Sequence, residues 1–508
     1  MDLQHLKSGT DVRGTAVNEA APEQIDLTDE AVRRIVAAFA RFLTRRCGKA
    51  ASALTVSVGH DSRVSAGRIC AAVVAALTGA GARVLDCGLC STPAMFMTTQ
   101  TEGCDGAVQV TASHHPWDRN GLKFFTRQGG ISGGELLEIL RAAETAAPVP
   151  APQRGAAEPL DYMPKYAAHL RALICAGVQS EDCDHPLSGL HIVVDAGNGV
   201  GGFYASQVLA PLGADTSGSC YLDPDGRFPN HIPNPENAAA MDSVRRATLE
   251  AGADLGVIFD TDVDRGAVVT ADGEEVNRNR LVALAACIAL RGAPGGTVVT
   301  DSVTSGGLTE FIEKRLGGKH LRFKRGYKNV IDEAARRTAL GENVPLAIET
   351  SGHAAFRENY FLDDGAYLVT RIIVELCRQK RAGGDLAGLI AALREPAEEA
   401  EVRLPIAAAD FKACGEAALA HVEAAANAAG LSVADDSYEG VKVLFPKEDG
   451  FFILRLSVHD PLLPVNFEAG VPGGVGRIAR RLLSLLQDVD GVDLLVLQQF
   501  CAENGKGY

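Results

Sequence analysis

A short apolar strand that ends at an aspartate and runs into small residues recurs three times along the chain. The strand-like segments lie at residues 54–61, 191–195 and 297–301, and the helix-like stretches that follow them lie at 67–77, 203–212 and 308–316. β-Branched runs followed by glycine or other small residues and then by a helical period are typical of the βα units of parallel sheets. The chain has 508 residues, which is too long for one hydrophobic core. The pattern therefore predicts three α/β domains of similar build.

The last hundred residues have a different pattern. They combine helix-like stretches at 411–429 and 475–487 with antiparallel-looking strands at 441–445, 451–456 and 465–468. A proline-rich segment at 146–158 is typical of a linker, a softer boundary lies near 272–290, and a third boundary falls near 397–405. We therefore predict three α/β domains and a C-terminal α+β domain, at residues 1–158, 159–275, 276–398 and 399–508.

Charge and hydropathy exclude several classes of partner. The net charge is −15 and no basic block is present, which argues against nucleic acid or an anionic membrane as a partner. The richest apolar run, 281–290, is too short to span a bilayer, and the first residues carry no apolar signal segment. The twelve cysteines form no framework, as is typical of a reducing compartment. We expect a cytoplasmic monomer or homodimer, or a protein of a reduced organelle such as a plastid if a transit peptide was removed.

The densest group of polar side chains follows the strand-like run at 106–110. Ser113, His114 and His115 come first, and Lys123 lies further along the same stretch. A serine hydroxyl is a poor nucleophile unless its surroundings activate it. Ser113 is therefore a candidate catalytic residue whose activating groups must come from elsewhere in the chain.

Three carboxylates, Asp260, Asp262 and Asp264, follow a second apolar strand and precede Arg265. In an extended chain alternate residues face the same way, and like charges at that spacing repel unless a cation lies among them. Carboxylate oxygens in small number are typical ligands of Mg²⁺. A rival interpretation is the nucleophile motif Asp-Thr-Asp-Val of haloacid-dehalogenase-type phosphatases, in which Asp260 would be phosphorylated. That interpretation leaves Ser113 without a role.

A third group, Glu349, Ser351 and His353, alternates after another short apolar run. A carboxylate, a hydroxyl and an imidazole are suited to binding adjacent sugar hydroxyls. A hydrolase triad is less consistent with this spacing, because triad partners normally come from distant segments. Arg13, beside a glycine, and Lys328, after a strand, add positive charge.

Two weaker motifs have structural explanations. The glycines of residues 197–202 match a dinucleotide-binding fingerprint, but any tight strand-to-helix turn favours the same glycines. Cys87 and Cys90 have redox spacing, but a single pair is at most half of a zinc site. We expect structural roles for both motifs.

The loops together resemble those of the α-D-phosphohexomutase superfamily, the phosphoglucomutase/phosphomannomutase group. Residues 111–116 resemble its phosphoserine loop, with His115 in place of asparagine, and residues 260–265 match its magnesium loop at every charged position. Residues 349–353 resemble its sugar-binding loop, and residues 455–461 its C-terminal phosphate-binding loop. The last loop departs from the pattern, because Val458 replaces glycine, His459 replaces threonine, and Pro464 stands where members often carry a second arginine.

The resemblance implies an α/β fold of three similar mixed-sheet domains and a C-terminal α+β domain around a central cleft. It implies an intramolecular phosphotransferase that interconverts hexose 1-phosphate and hexose 6-phosphate, of glucose or mannose, through a phosphoserine and a hexose 1,6-bisphosphate. The catalytic residues would be Ser113, His114, Lys123, Arg13 and Arg265. The Mg²⁺ ligands would be Ser113, Asp260, Asp262 and Asp264. The phosphosugar would contact Glu349, Ser351, His353, Lys328, Arg455, Ser457 and His459.

Three alternatives stay open at the level of sequence. Phosphoglucosamine mutases differ in the sugar loop, where Thr350 matches neither group. A phosphatase of the Asp-Thr-Asp-Val type is the second alternative. The third is a weakly active or non-catalytic sugar-phosphate-binding member, because the loop at 455–461 is altered.

Overall fold

The computed structural model describes residues 2–147, 149–180, 182, 184–435, 437–457 and 460–504. These residues form two compact units. The first comprises Met1–Ile288 and Ser351–Leu389, and the second comprises Ala289–Thr350 and Ile390–Tyr508. Four sheets organise the chain, and the strand ends of these sheets position the candidate site residues.

The first sheet is mixed and belongs to the N-terminal part of the first unit. Its strands are β1 Lys7–Ser8, β2 Asp11–Thr15, β3 Thr55–His60, β4 Arg83–Leu89, β5 Gly106–Val110, β6 Arg119–Thr126, β7 Gly129–Gly130 and β8 Ala157–Pro159. The spatial order is β1-β2-β6-β5-β3-β4-β8, with β7 beside β6. β3 runs parallel to β4 and β5, whereas β6 runs antiparallel to β5 and β2. The helices are α1 Asp29–Cys47, α2 Ala66–Gly79, α3 Thr92–Thr101, α4 Gly133–Thr145 and α5 Met163–Val178.

Local sequence explains these helices. The Thr28 hydroxyl accepts a hydrogen bond from the Ala31 amide at the start of α1, and Ser132 and Glu135 form a capping box on α4. The apolar face of α1, with Val32, Ile35 and Phe39 among its buried residues, contributes to one core with the valines of β3 and β5. Burial of such side chains stabilises the fold by roughly 1.5–3 kcal/mol each.

The second sheet also lies in the first unit. Its strands are β9 Ile192–Asp195, β10 Leu255–Phe259, β11 Gly266–Thr270 and β12 Glu275–Val276, in the order β12-β11-β10-β9. β9 and β10 are parallel, and β10 and β11 form an antiparallel pair. The helices of this region are α6 Ala238–Ala251 and α7 Arg278–Gly292.

The third region contributes strands to both units. In the second unit β13 Thr297–Thr300 runs parallel to β14 Lys319–Arg322 and to β15 Leu346–Ile348. In the first unit β16 Ala354–Phe356 pairs antiparallel with β17 Leu362–Asp363. The helices are α8 Gly306–Glu310, α9 Tyr327–Ala339, α10 Gly365–Arg381 and α11 Leu386–Ile390.

The C-terminal sheet is antiparallel throughout and belongs to the second unit. Its strands are β18 Glu398–Pro405, β19 Ser432–Val433, β20 Val441–Phe445, β21 Gly450–Leu454 and β22 Leu462–Ala469, in the order β18-β22-β21-β20-β19. The helices α12 Phe411–Ala428, α13 Gly474–Leu485 and α14 Leu495–Glu503 complete this region. The predicted fold class, three α/β domains with mixed sheets and a C-terminal domain with a sheet, is confirmed.

The details differ from the sequence predictions in several places. In the helix predicted at 308–316, a π-helical segment, Phe311–Arg315, follows α8. The helix predicted at 203–212 is a π-helical turn, Tyr204–Leu209, followed by the 3₁₀ turn Ala210–Leu212. Pro211 lies in that last turn and has no amide hydrogen for an α-helical bond. The segment 397–405, predicted as a boundary, contains β18, and helix α14 has no counterpart in the predictions. The division at 158, 275 and 398 stays a prediction.

No helix among the described residues is both long enough and apolar enough to cross a membrane. Cys87 and Cys90 are free and buried, and burial raises the pKa of the Cys87 thiol to about 12. Both thiols therefore fit a structural role.

Candidate active site

Ser113 lies just beyond the end of β5, at the edge of the first sheet where parallel strands β3 and β5 both end. Ligand sites of α/β sheets commonly form at the carboxyl ends of the strands. Ser113 is buried and adopts a left-handed backbone conformation with φ of 49°. Its amide donates a hydrogen bond to the Thr111 hydroxyl at 2.9 Å. A non-glycine residue in this region costs of order 1–3 kcal/mol, so the surrounding contacts must hold it there.

The acidic residues form the turn between β10 and β11 rather than an extended strand. Val263, a β-branched residue, has φ of 67°, which bends the chain between Asp262 and Asp264. The carboxylates of Asp260, Asp262 and Asp264 are fully buried, and an oxygen from each lies within 4.8 Å of the others. The predicted convergence of the three side chains is therefore present, but the tight turn produces it.

The acidic turn is suited to a hard cation. Among the described residues, Asp262 Oδ1, Asp264 Oδ1 and Thr261 Oγ1 are buried without a hydrogen-bond partner. Burial and the neighbouring charges of Asp264 and Asp262 raise the pKa of Asp260 well above its usual range. Unpaired buried carboxylate oxygens are costly without a counter-charge, and small oxygen-only ligand sets are typical of Mg²⁺. The three carboxylates therefore could hold a metal ion.

Lys123 supplies part of the counter-charge. It lies on β6, and its ammonium is 3.3 Å from Asp262 Oδ2 and forms a shorter ion pair with Asp264. Burial alone would raise the pKa of Asp264, but the charges of Lys123, His353 and Arg265 outweigh it and lower that pKa. The Thr92 hydroxyl also donates a hydrogen bond to Asp262. Lys123 thus joins the first sheet to the acidic turn.

Arg265 links the acidic turn directly to Ser113. Its Nε donates to Asp260 Oδ2 at 3.1 Å, and its Nη2 donates to Ser113 Oγ at 3.1 Å. The Ser113 hydroxyl donates to Asp260 Oδ2 at 3.0 Å. Asn234 and Glu236 hold the Nη1 end of the guanidinium at 3.1 and 3.4 Å. A buried guanidinium fixed in this way presents a rigid positive charge beside the hydroxyl.

Two imidazoles flank this arrangement in different protonation states. His114 Nδ1 lies 3.3 Å from Ser113 Oγ and contacts Arg265 Nη2 at 2.6 Å. Desolvation by the surrounding groups and the charge of Arg265 lower the pKa of His114, so its ring is neutral near pH 7. Burial alone would lower the pKa of His353, but Asp363 at 2.6 Å and Asp264 at 3.8 Å raise it to about 9.

The remaining candidates of the first unit lie close to these loops. Arg13, on β2, is buried, pairs with Asp11 at 2.7 Å and donates a second hydrogen bond to the carbonyl of Thr111. Ser351 is buried in the turn that leads to His353, and a β-bridge joins His353 to Arg265. The structure therefore brings Ser113, the three aspartates, Lys123, Arg265, His114 and His353 together within one unit.

The other candidates belong to the second unit. The Glu349 carboxylate is buried and accepts a hydrogen bond from the Gly326 amide at 2.6 Å. Lys328, in the first turn of α9, pairs with Asp332. Ser457 Oγ accepts a hydrogen bond from the Asp460 amide at 3.2 Å. His459 lies outside the described residues.

Arg455 has a distinctive set of partners within the second unit. It is buried, and its guanidinium donates to Asn466 Oδ1 at 2.8 Å and to Glu439 Oε1 at 3.4 Å. Its Nε is buried without a hydrogen-bond partner in the described part of the chain. This guanidinium has a remaining donor for an anionic ligand.

The sequence interpretation did not assign roles to several residues that hold the site. Arg63 is buried and donates hydrogen bonds to the carbonyls of the Ser113 segment, and Asp61 accepts from the Thr111 hydroxyl at 2.7 Å. Both residues follow β3, the parallel neighbour of β5. Because adjacent parallel strands end at the same edge, their position after a strand was a usable signal. Asn234, which holds Arg265, lies in the loop before α6 and does not directly follow a strand.

The glycine turn at 197–202 packs closely against neighbouring backbone segments of the protein. A Cβ on Gly199 would lie 2.6 Å from the Thr261 carbonyl oxygen, and one on Gly202 would lie 2.1 Å from that of Leu222. The Val200 amide donates to the Thr261 carbonyl at 2.9 Å. Gly199 therefore serves close packing against the acidic turn, and Gly202 serves close packing against Leu222.

Comparison with known proteins supports the family resemblance seen in the sequence. Three family models, described as phosphoglucomutase/phosphomannomutase α/β/α domains I, II and III, match residues 5–147, 164–273 and 277–394. A phosphomannomutase of Salmonella typhimurium is 30% identical over 472 residues, which cover 91% of this chain and 96% of that protein. A phosphoglucomutase of Neisseria meningitidis serogroup B is 30% identical over 463 residues, which cover 91% and 94% of the two chains.

A solved structure agrees over nearly the whole length. The crystal structure of a phosphoglucomutase/phosphomannomutase family protein from Burkholderia thailandensis superposes with a TM-score of 0.79 at 28% identity. The superposition covers 96% of this chain and 98% of that chain. The loops around Ser113, Asp260 and His353, the matched domains and these relatives lead to one conclusion: the chain belongs to the phosphoglucomutase/phosphomannomutase family.

Proposed function

We propose that this protein is a hexose phosphate mutase, an intramolecular phosphotransferase that interconverts the 1-phosphate and 6-phosphate of glucose or mannose. Ser113, carried as phosphoserine, gives its phosphoryl group to the free hydroxyl of the sugar monophosphate. The resulting hexose 1,6-bisphosphate reorients and returns its other phosphate to Ser113. Membership of the family and the names of its relatives support this reaction class.

One observation carries the proposal beyond family membership. The Ser113 hydroxyl lies 3.0 Å from Asp260 and 3.1 Å from Arg265, in a buried site that also contains Lys123 and two further carboxylates. Phosphoryl transfer depends mainly on positioning and on stabilisation of negative charge, and these groups supply both.

The metal site fits Mg²⁺. Asp260, Asp262, Asp264 and an oxygen of phosphorylated Ser113 would hold the ion, because two of these carboxylates have buried oxygens without partners. A bound Mg²⁺ would neutralise charge on the transferred phosphoryl group and so lower the barrier. Arg265 would orient the phosphoryl oxygens beside it.

The proton chemistry belongs to this chain's own side chains. Lys123 and Arg13 are candidates for the general base or the general acid that exchanges a proton with the sugar hydroxyl, with the neutral ring of His114 in support. Protonated His353 would donate a hydrogen bond to a sugar or phosphate oxygen.

Substrate binding would draw on the remaining candidates. Glu349 and Ser351 would hold sugar hydroxyls, and Lys328 would assist them. Arg455, Ser457 and His459 would bind the phosphate that is not transferred, and the free Nε of Arg455 supports this role. The alterations at Val458 and His459 favour a second candidate function, that of a weakly active sugar-phosphate-binding member. The same assay tests it.

Two other candidates have less support. A phosphoglucosamine mutase is not favoured by the names of the relatives, which are phosphoglucomutases and phosphomannomutases. A phosphatase that uses Asp260 as nucleophile does not account for the hydrogen bonds that Ser113 makes with Asp260 and Arg265.

The test compares Ser113→Ala with Ser62→Ala in a coupled assay of glucose 1-phosphate conversion, with glucose 1,6-bisphosphate and Mg²⁺ present. Ser62 is a matched control, because its hydroxyl is buried without a hydrogen-bond partner in the described structure. We expect Ser113→Ala to lose turnover and to lose one phosphoryl group in the intact mass. Ser62→Ala should keep both. Turnover retained by Ser113→Ala would contradict the proposal, and bisphosphate binding by the wild type without turnover would favour the non-catalytic candidate.

A further inference from the structure

The segment at residues 223–230, here called the 223–230 loop, lies against the Ser113 loop, residues 111–119. The Arg227 guanidinium lies over the Trp117 ring, 4.7 Å from its centroid. The Arg63 guanidinium lies over the Phe228 ring, 5.2 Å from its centroid. The 223–230 loop thus supplies one cation and one ring to two cation–π contacts. The partner ring belongs to the Ser113 loop, and the partner cation is Arg63, which follows β3. The mechanism above assigns no role to this loop.

Arg63 determines the shape of the Ser113 loop. Its side chain is buried, and its two Nη atoms donate four hydrogen bonds to main-chain carbonyls of that loop. The acceptors are the carbonyls of Ser113 at 2.5 Å, His115 at 2.6 Å, Pro116 at 2.6 Å and Arg119 at 2.8 Å. Asp61 pairs with the Nε end of the same guanidinium at 3.2 Å. A single side chain therefore ties together the backbone that holds Ser113 in its left-handed conformation.

The 223–230 loop covers the segment that carries this arginine. A Cβ on Gly226 would lie 2.3 Å from the Ser62 carbonyl oxygen and 2.6 Å from the Arg63 carbonyl carbon. Only glycine permits so close an approach of the two backbones. The contact is thus built from backbone packing as well as from the two rings.

Asn198 fixes the other side of the 223–230 loop. Its carbonyl accepts from the Asp225 amide at 2.9 Å, and its Nδ2 donates to the Asp223 carbonyl at 2.9 Å. The side-chain Nδ2 of Asn230 donates to Asn198 Oδ1 at 2.7 Å. Asn198 belongs to the glycine turn that packs on Thr261 of the acidic turn. A continuous set of contacts therefore runs from the acidic turn through Asn198 to the Ser113 loop.

We propose that the 223–230 loop positions Ser113 for phosphoryl transfer, with Phe228 acting through Arg63 and Arg227 acting through Trp117. These are positioning residues, because they contact the Ser113 loop and its supports rather than a reacting atom. The kinetic consequence rests on the mutase function proposed above. The contact itself does not, and it can be measured without any assay of activity.

Trp117 makes that measurement direct. It is the only tryptophan of the chain, so intrinsic tryptophan emission reports on the surroundings of this one ring. Arg227 is 57% exposed and pairs with Glu19 at 3.1 Å, so its replacement should leave folding intact. Arg246 is a matched control in the same region, with 63% exposure and an ion pair with Asp242 at 3.1 Å.

The experiment compares full-length wild type with Arg227→Gln, Arg227→Lys, Phe228→Leu and the control Arg246→Gln. Emission, acrylamide quenching, the single-turnover transfer from phosphorylated Ser113 to glucose 1-phosphate, and the steady-state kcat and KM are measured for each protein. For Arg227→Gln we expect altered emission, stronger quenching and a transfer rate lower by roughly twofold to fivefold, with KM unchanged. Arg227→Lys should recover part of the wild-type emission and part of the wild-type transfer rate, because lysine keeps the positive charge. Phe228→Leu should slow transfer by at least as much, and its thermal unfolding shows whether the fold is retained.

Three results would overturn the proposal. Emission and quenching of Arg227→Gln equal to those of wild type would show that the contact is not formed. A changed emission with a transfer rate equal to that of Arg246→Gln would show that the contact does not position Ser113. A loss that appears only in KM would assign the loop to substrate binding instead. A wild type without mutase turnover would overturn the proposed function, while the emission data would still decide the contact.

Discussion

The Ser113 hydroxyl donates a hydrogen bond to the Asp260 carboxylate at 3.0 Å, although 147 residues separate them in sequence. One residue follows the strand β5 of the first sheet, and the other follows the strand β10 of the second. The hydrogen bond joins the candidate phosphoryl carrier to the candidate metal site.

Replacement of Asp262 by asparagine should remove the response of the protein to Mg²⁺. A ligand that binds only the folded state stabilises it by about 2.7 kcal/mol at one hundred times its Kd. We therefore expect Mg²⁺ to raise the midpoint of thermal unfolding of EDTA-treated wild type, and Asp262→Asn to show little change. Asp242→Asn, an exposed acid paired with arginines, is the control and should respond like wild type. An equal response of Asp262→Asn would place the ion elsewhere.

Replacement of Arg265 by lysine should slow transfer more than it affects folding. Lysine keeps the charge, but it cannot contact Asp260 and Ser113 at once as the guanidinium does. We expect kcat to fall by roughly 10²-fold, the loss typical of one preorganised donor to developing charge. Arg280→Lys, at an ion pair with Glu274, is the control. A kcat within about twofold of the control would exclude Arg265 from the transfer step.

Replacement of Arg455 by glutamine should weaken substrate binding with little effect on the transfer step. A hydrogen bond to a charged group contributes about 1.5–3 kcal/mol, so KM for the sugar phosphate should rise by roughly tenfold to a hundredfold. Steady-state kinetics separate KM from kcat. Arg477→Gln, at a half-exposed ion pair with Glu448, should leave both unchanged. An unchanged KM in Arg455→Gln would mean that the altered loop does not bind the substrate phosphate.

The pair of His231 and Asp195 should make stability depend on pH. His231 Nε2 lies 3.0 Å from Asp195 Oδ1, and both side chains are buried. Burial alone would lower the pKa of His231, but the hydrogen bond and charge of Asp195 outweigh it and raise that pKa. A raised pKa in the folded state adds stability that is fully present below the ordinary value of about 6.5 and is lost as the pH rises through the raised value.

His231→Gln should therefore lower the free energy of unfolding more near pH 6 than near pH 9, by about 1–2 kcal/mol more. Chemical denaturation at the two pH values measures this difference. The exposed pair of His185 and Asp182 provides the control variant, His185→Gln, which should show little dependence. An equal loss at both pH values would show that His231 is neutral when folded.

Most residues of the proposed active site could be named from the sequence, but the contacts between them could not. Ser113, Asp260 and Arg265 stand at strand ends, where short apolar runs stop and polar groups begin. The three carboxylates were expected to converge in an extended chain, whereas the turn at Val263 brings them together. The alternation of acidic residues in the sequence cannot reveal that Val263 adopts a left-handed backbone conformation. A β-branched residue keeps that conformation only through contacts with other parts of the fold.

By itself the sequence determined the fold class and the family, because these depend on local periodicity and on short motifs. It also identified which residue types gather at each strand end. Only the tertiary structure decided that Lys123 meets Asp262 and that Arg63 holds the carbonyls around Ser113. Such contacts join residues that are distant in the chain, and their partners are set by the packing of whole sheets rather than by any local pattern.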